Sequence, residues 1–346
     1  MPTGYLYDPI YLEHRQRGHI EGPERLEYIN LALDQSGLRT RLVALNPQPI
    51  SPERLRRVHR ADYIEQVKTI AALGGSGLSG PGDETYVAPK SYEAALSAAG
   101  AVVTGLEAVL QGEVDNAFAL VRPPGHHAFI DHGEGFCLFN NIAIAARTAR
   151  SDFGVDRVLI VDFDVHHGNG TNVIFHTEPS VLYFSTHQWG IYPGTGYWTD
   201  VGEGQGTGFS VNVPMLPGWG DAAMSRVFDD LLIPIARRFK PELILVSAGY
   251  DPHWSDKLGS MVVTVQGFFA LTQRLVDLAH ELCSGRLVLT LEGGYGLEGL
   301  AYGVVASFAA LLGDREFVDP IGPSPRGELA FDEDYLSRLR NLHGLA

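Results

Sequence analysis

The sequence predicts an α/β fold, with a mainly parallel sheet covered by helices on both faces. Three observations predict it. Short β-branched runs alternate with longer helical patterns along nearly all of the 346 residues, as in successive βαβ units. The strand runs are almost continuously apolar, as expected for strands buried on both faces. No internal repeat, low-complexity tract or convincing linker divides the chain, and the length allows either about two domains or one large α/β domain over residues 1–346.

Taken in order, Tyr5–Tyr7 reads as an edge strand and Glu24–Gln35, entered at Pro23, as the first helix. Ala61–Leu73 is a second helical pattern, ending in the glycine-rich loop 74–82. Ser91–Leu110 is a third, closed by Gly112. Then come the strand Ala117–Val121, the helix Asn141–Ser151, and the strands Arg157–Phe163, Val181–Ser185 and Phe209–Val213. The helix Ala222–Phe239, strand Leu243–Ser247, helix Gln266–Leu282, strand Leu287–Leu291 and helix Leu297–Leu312 complete the alternation. Open parallel sheets bind ligands beyond the carboxyl ends of their strands. That directs attention to loops 122–141, 164–170, 185–196, 248–259 and 292–299.

Composition narrows the function classes. With 26 Lys and Arg against 41 Asp and Glu, the net charge is −15. This argues against broad nucleic-acid binding, which needs clustered positive charge, and is compatible with a cationic substrate or basic peptide. The longest apolar runs, 158–161 and 306–312, fall far short of a membrane span of about 18 residues. No basic region followed by an apolar core opens the chain. Two cysteines, Cys137 and Cys283, make no disulfide framework. A reducing, cytoplasmic setting is expected.

Seven of the 13 histidines lie between positions 126 and 187. In the strand running to Asp162-Phe163-Asp164-Val165-His166, side chains alternate faces, so Asp162, Asp164 and His166 point the same way. A carboxylate and a neutral imidazole two residues apart suit zinc, although alone the pair is more often a polar cluster capping a helix. Asp251, after the strand at 243–247, stands where a third ligand from a neighbouring strand would come; Asp before Pro is also an ordinary turn residue. His126-His127, behind Pro123-Pro124-Gly125, suit proton transfer near neutral pH. Tyr295, after Gly293-Gly294, is placed to donate to a developing oxyanion. Each motif is modest alone. All four at strand carboxyl ends are harder to dismiss.

Together these segments resemble the histone deacetylase family, within the arginase–deacetylase fold. The resemblance runs from Gly22-Pro23-Glu24-Arg25 through Val58-His59, Arg122-Pro123-Pro124-Gly125-His126-His127 and Gly135-Phe136-Cys137-Leu138-Phe139-Asn140-Asn141. It continues through Asp162 to Thr171 and Tyr192-Pro193-Gly194-Thr195-Gly196, ending at Glu292-Gly293-Gly294-Tyr295. The Asn169-Gly170-Thr171 ending and Gly293-Gly294-Tyr295 resemble class II and bacterial deacetylase-like amidohydrolases more than class I. The implied fold is a three-layer α/β/α sandwich on a mostly parallel sheet of about eight strands.

The resemblance implies zinc held by Asp164, His166 and Asp251, with His127 as general base and later acid, and His126 as its electrostatic partner. Asp162 would orient His126, Asn169 would sit behind His127, and Tyr295 would donate to the oxyanion. Gly135, Phe136 and Tyr192 would line a narrow tunnel, Arg25 would lie at a product channel where acetate binds, and Asp83 would grip the substrate backbone. Structural potassium is implied at Asp162, Asp164, His166, Ser185 and Thr186, and at a second site from the carbonyls of Phe175, Glu178, Val181 and Phe209. Cys137 is expected to be a buried structural thiol rather than a redox sensor.

The implied reaction is zinc-dependent hydrolysis of an N-acyl amide, with acyl-lysine ahead of acetylpolyamine as substrate. Polyamine-selective relatives carry a gatekeeper Glu where this chain has Leu258, which cannot pair with a distant ammonium. The net charge of −15 favours a polycation instead. A binuclear ureohydrolase is disfavoured, because Gly168 and His253 stand where its second-metal carboxylates belong. A catalytically dead acyl-lysine binder is disfavoured because Tyr295 and all three ligands are present. No membrane or nucleic-acid partner is expected, and no oligomer is predicted.

Overall fold

A computed structural model describes residues 2–78 and 84–345. It contains the strands β1 (Thr3–Leu6), β2 (Val43–Leu45), β3 (Ser76–Gly77), β4 (Tyr86–Val87), β5 (Asn116–Ala119), β6 (Val158–Asp162), β7 (Val181–Gln188), β8 (Ser210–Met215), β9 (Leu243–Ala248) and β10 (Leu287–Leu291). Eight form one sheet in the order β2-β1-β5-β10-β9-β6-β7-β8. Every neighbouring pair in it is parallel. The short β3 and β4 make a separate antiparallel ribbon.

Strand side chains alternate between two helical layers. Tyr5 and Phe118 meet Phe308 of the helix Leu297–Leu311. Leu6, Ala117 and Val288 surround Gly105 of the helix Ser91–Gln111 on the other face. The expected three layers and eight strands are therefore present. The helices Glu24–Gln35, Ala61–Ala72, Asn141–Phe153 and Val265–Cys283 stand within two residues of their sequence-based limits. The helix Ser91–Gln111 is apolar and long enough by composition to cross a membrane, but 72% of that stretch is buried inside the protein.

Several features differ from expectation. β1 is not an edge strand, because β2 pairs outside it. β2 has three partly exposed residues and so carries no periodic apolar signal. Asn169–Phe175 is a helix rather than the continuation of a loop. The stretch 221–239 is also not uniform: a π-helical turn, Phe228–Leu232, separates two α-helical segments.

The strand order reverses direction between β6 and β9. From β6 the chain moves outward through β7 to β8; from β9 it moves the other way to β10. Such a switch point leaves a crevice at the strand ends, where the outgoing loops part.

Candidate active site

The crevice holds the residues read from the sequence. β6 ends at Asp162 and β9 at Ala248, so the following loops bring Asp164, His166 and Asp251 together. His166 Nδ1 lies 3.0 Å from Asp164 Oδ1 and 3.2 Å from Asp251 Oδ2. The ligand atoms of all three lie within 4.8 Å of one another, and the residues are buried. Each carboxylate is aimed by its second oxygen: Gly293 N–H donates to Asp164 Oδ2 at 2.7 Å, and Val165 N–H to Asp251 Oδ1 at 2.8 Å. Asp251 Oδ2 receives no hydrogen bond although it is buried. A Cβ on Gly293 would collide with both carboxylates, which explains glycine there.

An orphaned buried carboxylate oxygen, beside a second carboxylate and an imidazole nitrogen, is a donor set that fits a divalent cation. Three protein ligands with one side open suit a catalytic rather than a structural site. With protons alone in the site, burial pushes Asp251 up to about 7, and the Asp164 charge adds to this. Burial opposes charge on His166, but the negative charge of the two carboxylates beside it prevails and pushes it up to about 10.

Two histidines flank this cluster. His126 Nδ1–H donates to Asp162 Oδ2 at 3.1 Å, and Tyr183 O–H donates to the same oxygen at 3.0 Å. Burial opposes charge on His126, but Asp162, Asp164 and Glu292 outweigh it and raise it to about 10. Glu292 in turn accepts from the amides of Gly125 and His126 at 2.7 and 3.2 Å, fixing the turn that carries both histidines. His127 Nδ1 pairs with Asn169 Oδ1 at 2.8 Å. Burial, reinforced by His126 and His166, holds His127 well below the usual histidine range. One histidine is held charged and its neighbour neutral, the split expected of an electrostatic partner and a base.

A cavity of about 260 Å³ leads down to these groups, lined by His126, His127, Gly135, Phe136, His166, Tyr192, Leu258 and Tyr295. Phe136 stands edge-on to Tyr295 at 5.9 Å, and Tyr192 edge-on to His127 at 5.1 Å. Phe136 has φ 70°, a costly conformation for an aromatic residue. The Thr85 hydroxyl holds it by accepting from its amide at 2.8 Å. Gly135 packs so closely on His127 that a Cβ there would strike the imidazole.

Tyr295 is carried on a loop fastened from two directions. Asp256 Oδ2 accepts from Tyr295 N–H and Gly296 N–H at 2.6 and 2.7 Å. Arg25 donates to Gly294 O at 2.7 Å and Glu292 O at 2.5 Å, and its guanidinium lies 4.9 Å from the centre of the Tyr295 ring. Burial raises the Tyr295 hydroxyl well above its ordinary value, which keeps it a donor.

Not every expected residue lines the cavity. Arg25 stands behind it, with Glu21 as a further partner at 3.0 Å. Asp83 lies outside the described residues; among the described residues, its neighbour Glu84 lines the cavity. Cys137 is buried, and burial raises its thiol well above the ordinary range, as suits a structural residue. Sequence reasoning missed Glu84, Asp256 and the bracing role of Glu292. Of these, only the Asp256-x-Leu258 turn pattern, in which the side chain accepts from Leu258 N–H at 2.9 Å, was visible in principle.

A parallel sheet with this site at its switch point defines an arginase–deacetylase-type hydrolase. The histone deacetylase domain profile matches residues 19–311. The chain belongs to the histone deacetylase family. It is 42% identical to a histone deacetylase-like amidohydrolase of Pseudomonas aeruginosa, over 88% of this chain and 80% of that protein. It is 44% identical to the human polyamine deacetylase HDAC10, over 85% of this chain and 45% of that protein. The crystal structure of the HDA15 HD domain superposes with a TM-score of 0.88 at 37% identity, covering 99% of this chain and 94% of the other.

Proposed function

We propose that this chain, read as a single deacetylase domain, is a zinc-dependent amidohydrolase that removes the acetyl or a related acyl group from the side chain of acyl-lysine. The carrying observation is the convergence of Asp164, His166 and Asp251 at the foot of a cavity that His126, His127 and Tyr295 also line. These three residues would hold zinc, which polarises an acyl carbonyl and lowers the pKa of water.

The remaining chemistry belongs to the chain. His127, with Nδ1–H committed to Asn169, presents the lone pair of Nε2 to take a proton from attacking water and later deliver it to the departing amine. His126, oriented by Asp162, adds fixed positive charge beside the developing negative charge. The Tyr295 hydroxyl donates to the oxyanion. Phe136, Tyr192 and Leu258 form apolar walls that suit a lysine stem. Asp83 would grip the substrate backbone, as the family resemblance implies, and its neighbour Glu84 lines the cavity. Arg25 acts first by bracing the Tyr295 loop, and in the same region would meet the released carboxylate.

Potassium would sit at Asp162, Asp164, His166, Ser185 and Thr186, and at the carbonyls of Phe175, Glu178, Val181 and Phe209. The two free, buried cysteines fit the cytoplasm.

A second reading, acetylpolyamine hydrolysis, is favoured by the charge of −15 and by Glu84 beside the cavity. The deciding experiment compares kcat/KM for an acetyl-lysine peptide and N-acetylputrescine on zinc-loaded protein. A ratio above about 10 for the peptide, roughly 1.4 kcal/mol, supports the lysine reading. The inverse ratio overturns it in favour of the polyamine.

A further inference from the structure

The base is held by a longer chain of residues than the His127–Asn169 pair. Asn169 Nδ2 donates to Glu134 Oε1 at 2.5 Å. We infer that Glu134 is a positioning residue for the reaction: it locks the Asn169 amide and places a carboxylate one amide away from the base. The inference rests on the deacetylase reading above and extends its machinery by one residue.

An amide is an ambiguous partner for an imidazole. Its two ends have nearly the same shape, and only the oxygen end accepts from Nδ1–H. With the NH₂ end turned toward the ring, Nδ1 would have to accept, the proton would move to Nε2, and the base would lose its lone pair toward the cavity. Two neighbours forbid that. The Gly170 amide, a donor only, faces Asn169 Oδ1 at 3.1 Å. The Glu134 carboxylate, an acceptor only, faces Nδ2.

The Gly170 contact fixes direction but adds no negative charge. Glu134 does both. As His127 gains a proton, the Asn169 amide polarises along the chain His127–Asn169–Glu134, and the carboxylate supports the imidazolium through it. A directly bonded Asp would provide this support at full strength; Glu134 provides it attenuated.

The placement of Glu134 is built into the fold. Residues 133–137 wrap His127: Cys137 N–H closes the turn onto Glu134 O at 2.9 Å, and the Cys137 sulfur accepts from the His127 amide at 3.4 Å. Gly135, the residue after Glu134, packs directly on the imidazole. From the solvent side, Glu134 Oε2 faces His132 Nε2 at 3.8 Å, and His132 also pairs with Asp131. The Glu134 side chain is 24% exposed, so replacing it leaves the core intact.

The test uses metal-loaded protein and an acetyl-lysine peptide. Glu134→Ala and Glu134→Met are expected to lower kcat about tenfold with KM within about twofold. Glu134→Gln keeps an acceptor oxygen and is expected to lose only about threefold. In an Asn169→Asp background the sign reverses: two carboxylates then face each other, so Glu134→Gln raises kcat. Nitrogen-15 spectra of the His127 ring give a readout independent of turnover, with the Nδ1–H form weakened in Glu134→Ala. The inference is overturned if Glu134→Ala leaves kcat within about twofold and the ring spectrum unchanged. It is equally overturned if Glu134→Gln lowers kcat by the same factor in both backgrounds. A wild-type protein inactive on all acyl amides but with the ring spectrum responding to Glu134 would instead strike the deacetylase reading.

Discussion

At the scale of single residues, the site separates groups that hold charge from groups that move protons. Tyr295 belongs to neither set; in the proposed reaction it acts by one hydroxyl. Tyr295→Phe should lower kcat by roughly 10²- to 10³-fold, the usual loss for one oxyanion donor. Metal content and Tm should hardly change, because the ring keeps its packing against Phe136 and Arg25. Steady-state kinetics with metal analysis check this; unchanged kcat would remove Tyr295 from the reaction. His127 supplies the pH prediction. Burial and its cationic neighbours lower its pKa, so the base form persists as pH falls. Asn169→Asp would stabilise the imidazolium and raise that pKa. The acidic limb of kcat/KM should therefore move to higher pH, and an unmoved limb would show that Asn169 does not couple to the base. These residues were legible because ligand and proton-transfer chemistry uses few residue types at fixed spacings. Glu84 and Glu134 were not legible, because a lone acid in a loop looks the same whether it faces solvent or an amide, and Asp256 shows only as the start of a turn.

At the scale of elements, strand ends place the ligands, while loops held by buried carboxylates place the rest. Asp256 is the clearest case. One carboxylate gathers the amides of Leu258, Tyr295 and Gly296, joining a cavity wall to the proposed oxyanion donor. Asp256→Asn turns one acceptor into a donor facing an N–H, at a cost of about 1–3 kcal/mol. The expected outcome is a lower Tm and a kcat/KM reduced about tenfold or more. In a Tyr295→Phe background the same substitution should cost activity much less, since the hydroxyl it positions is already gone. Equal losses in both backgrounds would mean that Asp256 serves the fold alone. The long helices and central strands were legible in the sequence because burial imposes its period over many residues. β2, the helix Asn169–Phe175 and the C-terminal helix Glu333–Leu342 escaped, since each is short or largely exposed and bears little of that pattern.

At the scale of the whole molecule, the proposed ligands tie together the ends of two adjacent central strands, so metal binding and global stability should be linked. Without a metal, the cluster must be held together by protons. Asp251 is raised to about 7, above its value in an unfolded chain, so its favourable effect is present at low pH and lost as pH rises toward 7. His166 is raised to about 10, so its pairing stabilises the fold below about 6.5 and fades as pH climbs toward 10. Both signs agree: in the metal-free protein, the contribution of this cluster to stability should weaken as pH rises. A divalent metal replaces those protons, so its affinity should grow over the same range. Metal at one hundred to one thousand times Kd adds roughly 3–4 kcal/mol. Chelation should therefore lower Tm by several degrees, zinc should restore it, and the gap between loaded and stripped protein should widen from pH 6 to pH 8. Calorimetry in two buffers of different ionisation enthalpy should detect proton release on metal uptake. A Tm gap that narrows with pH, or uptake without proton release, would mean that Asp164, His166 and Asp251 are not the metal ligands.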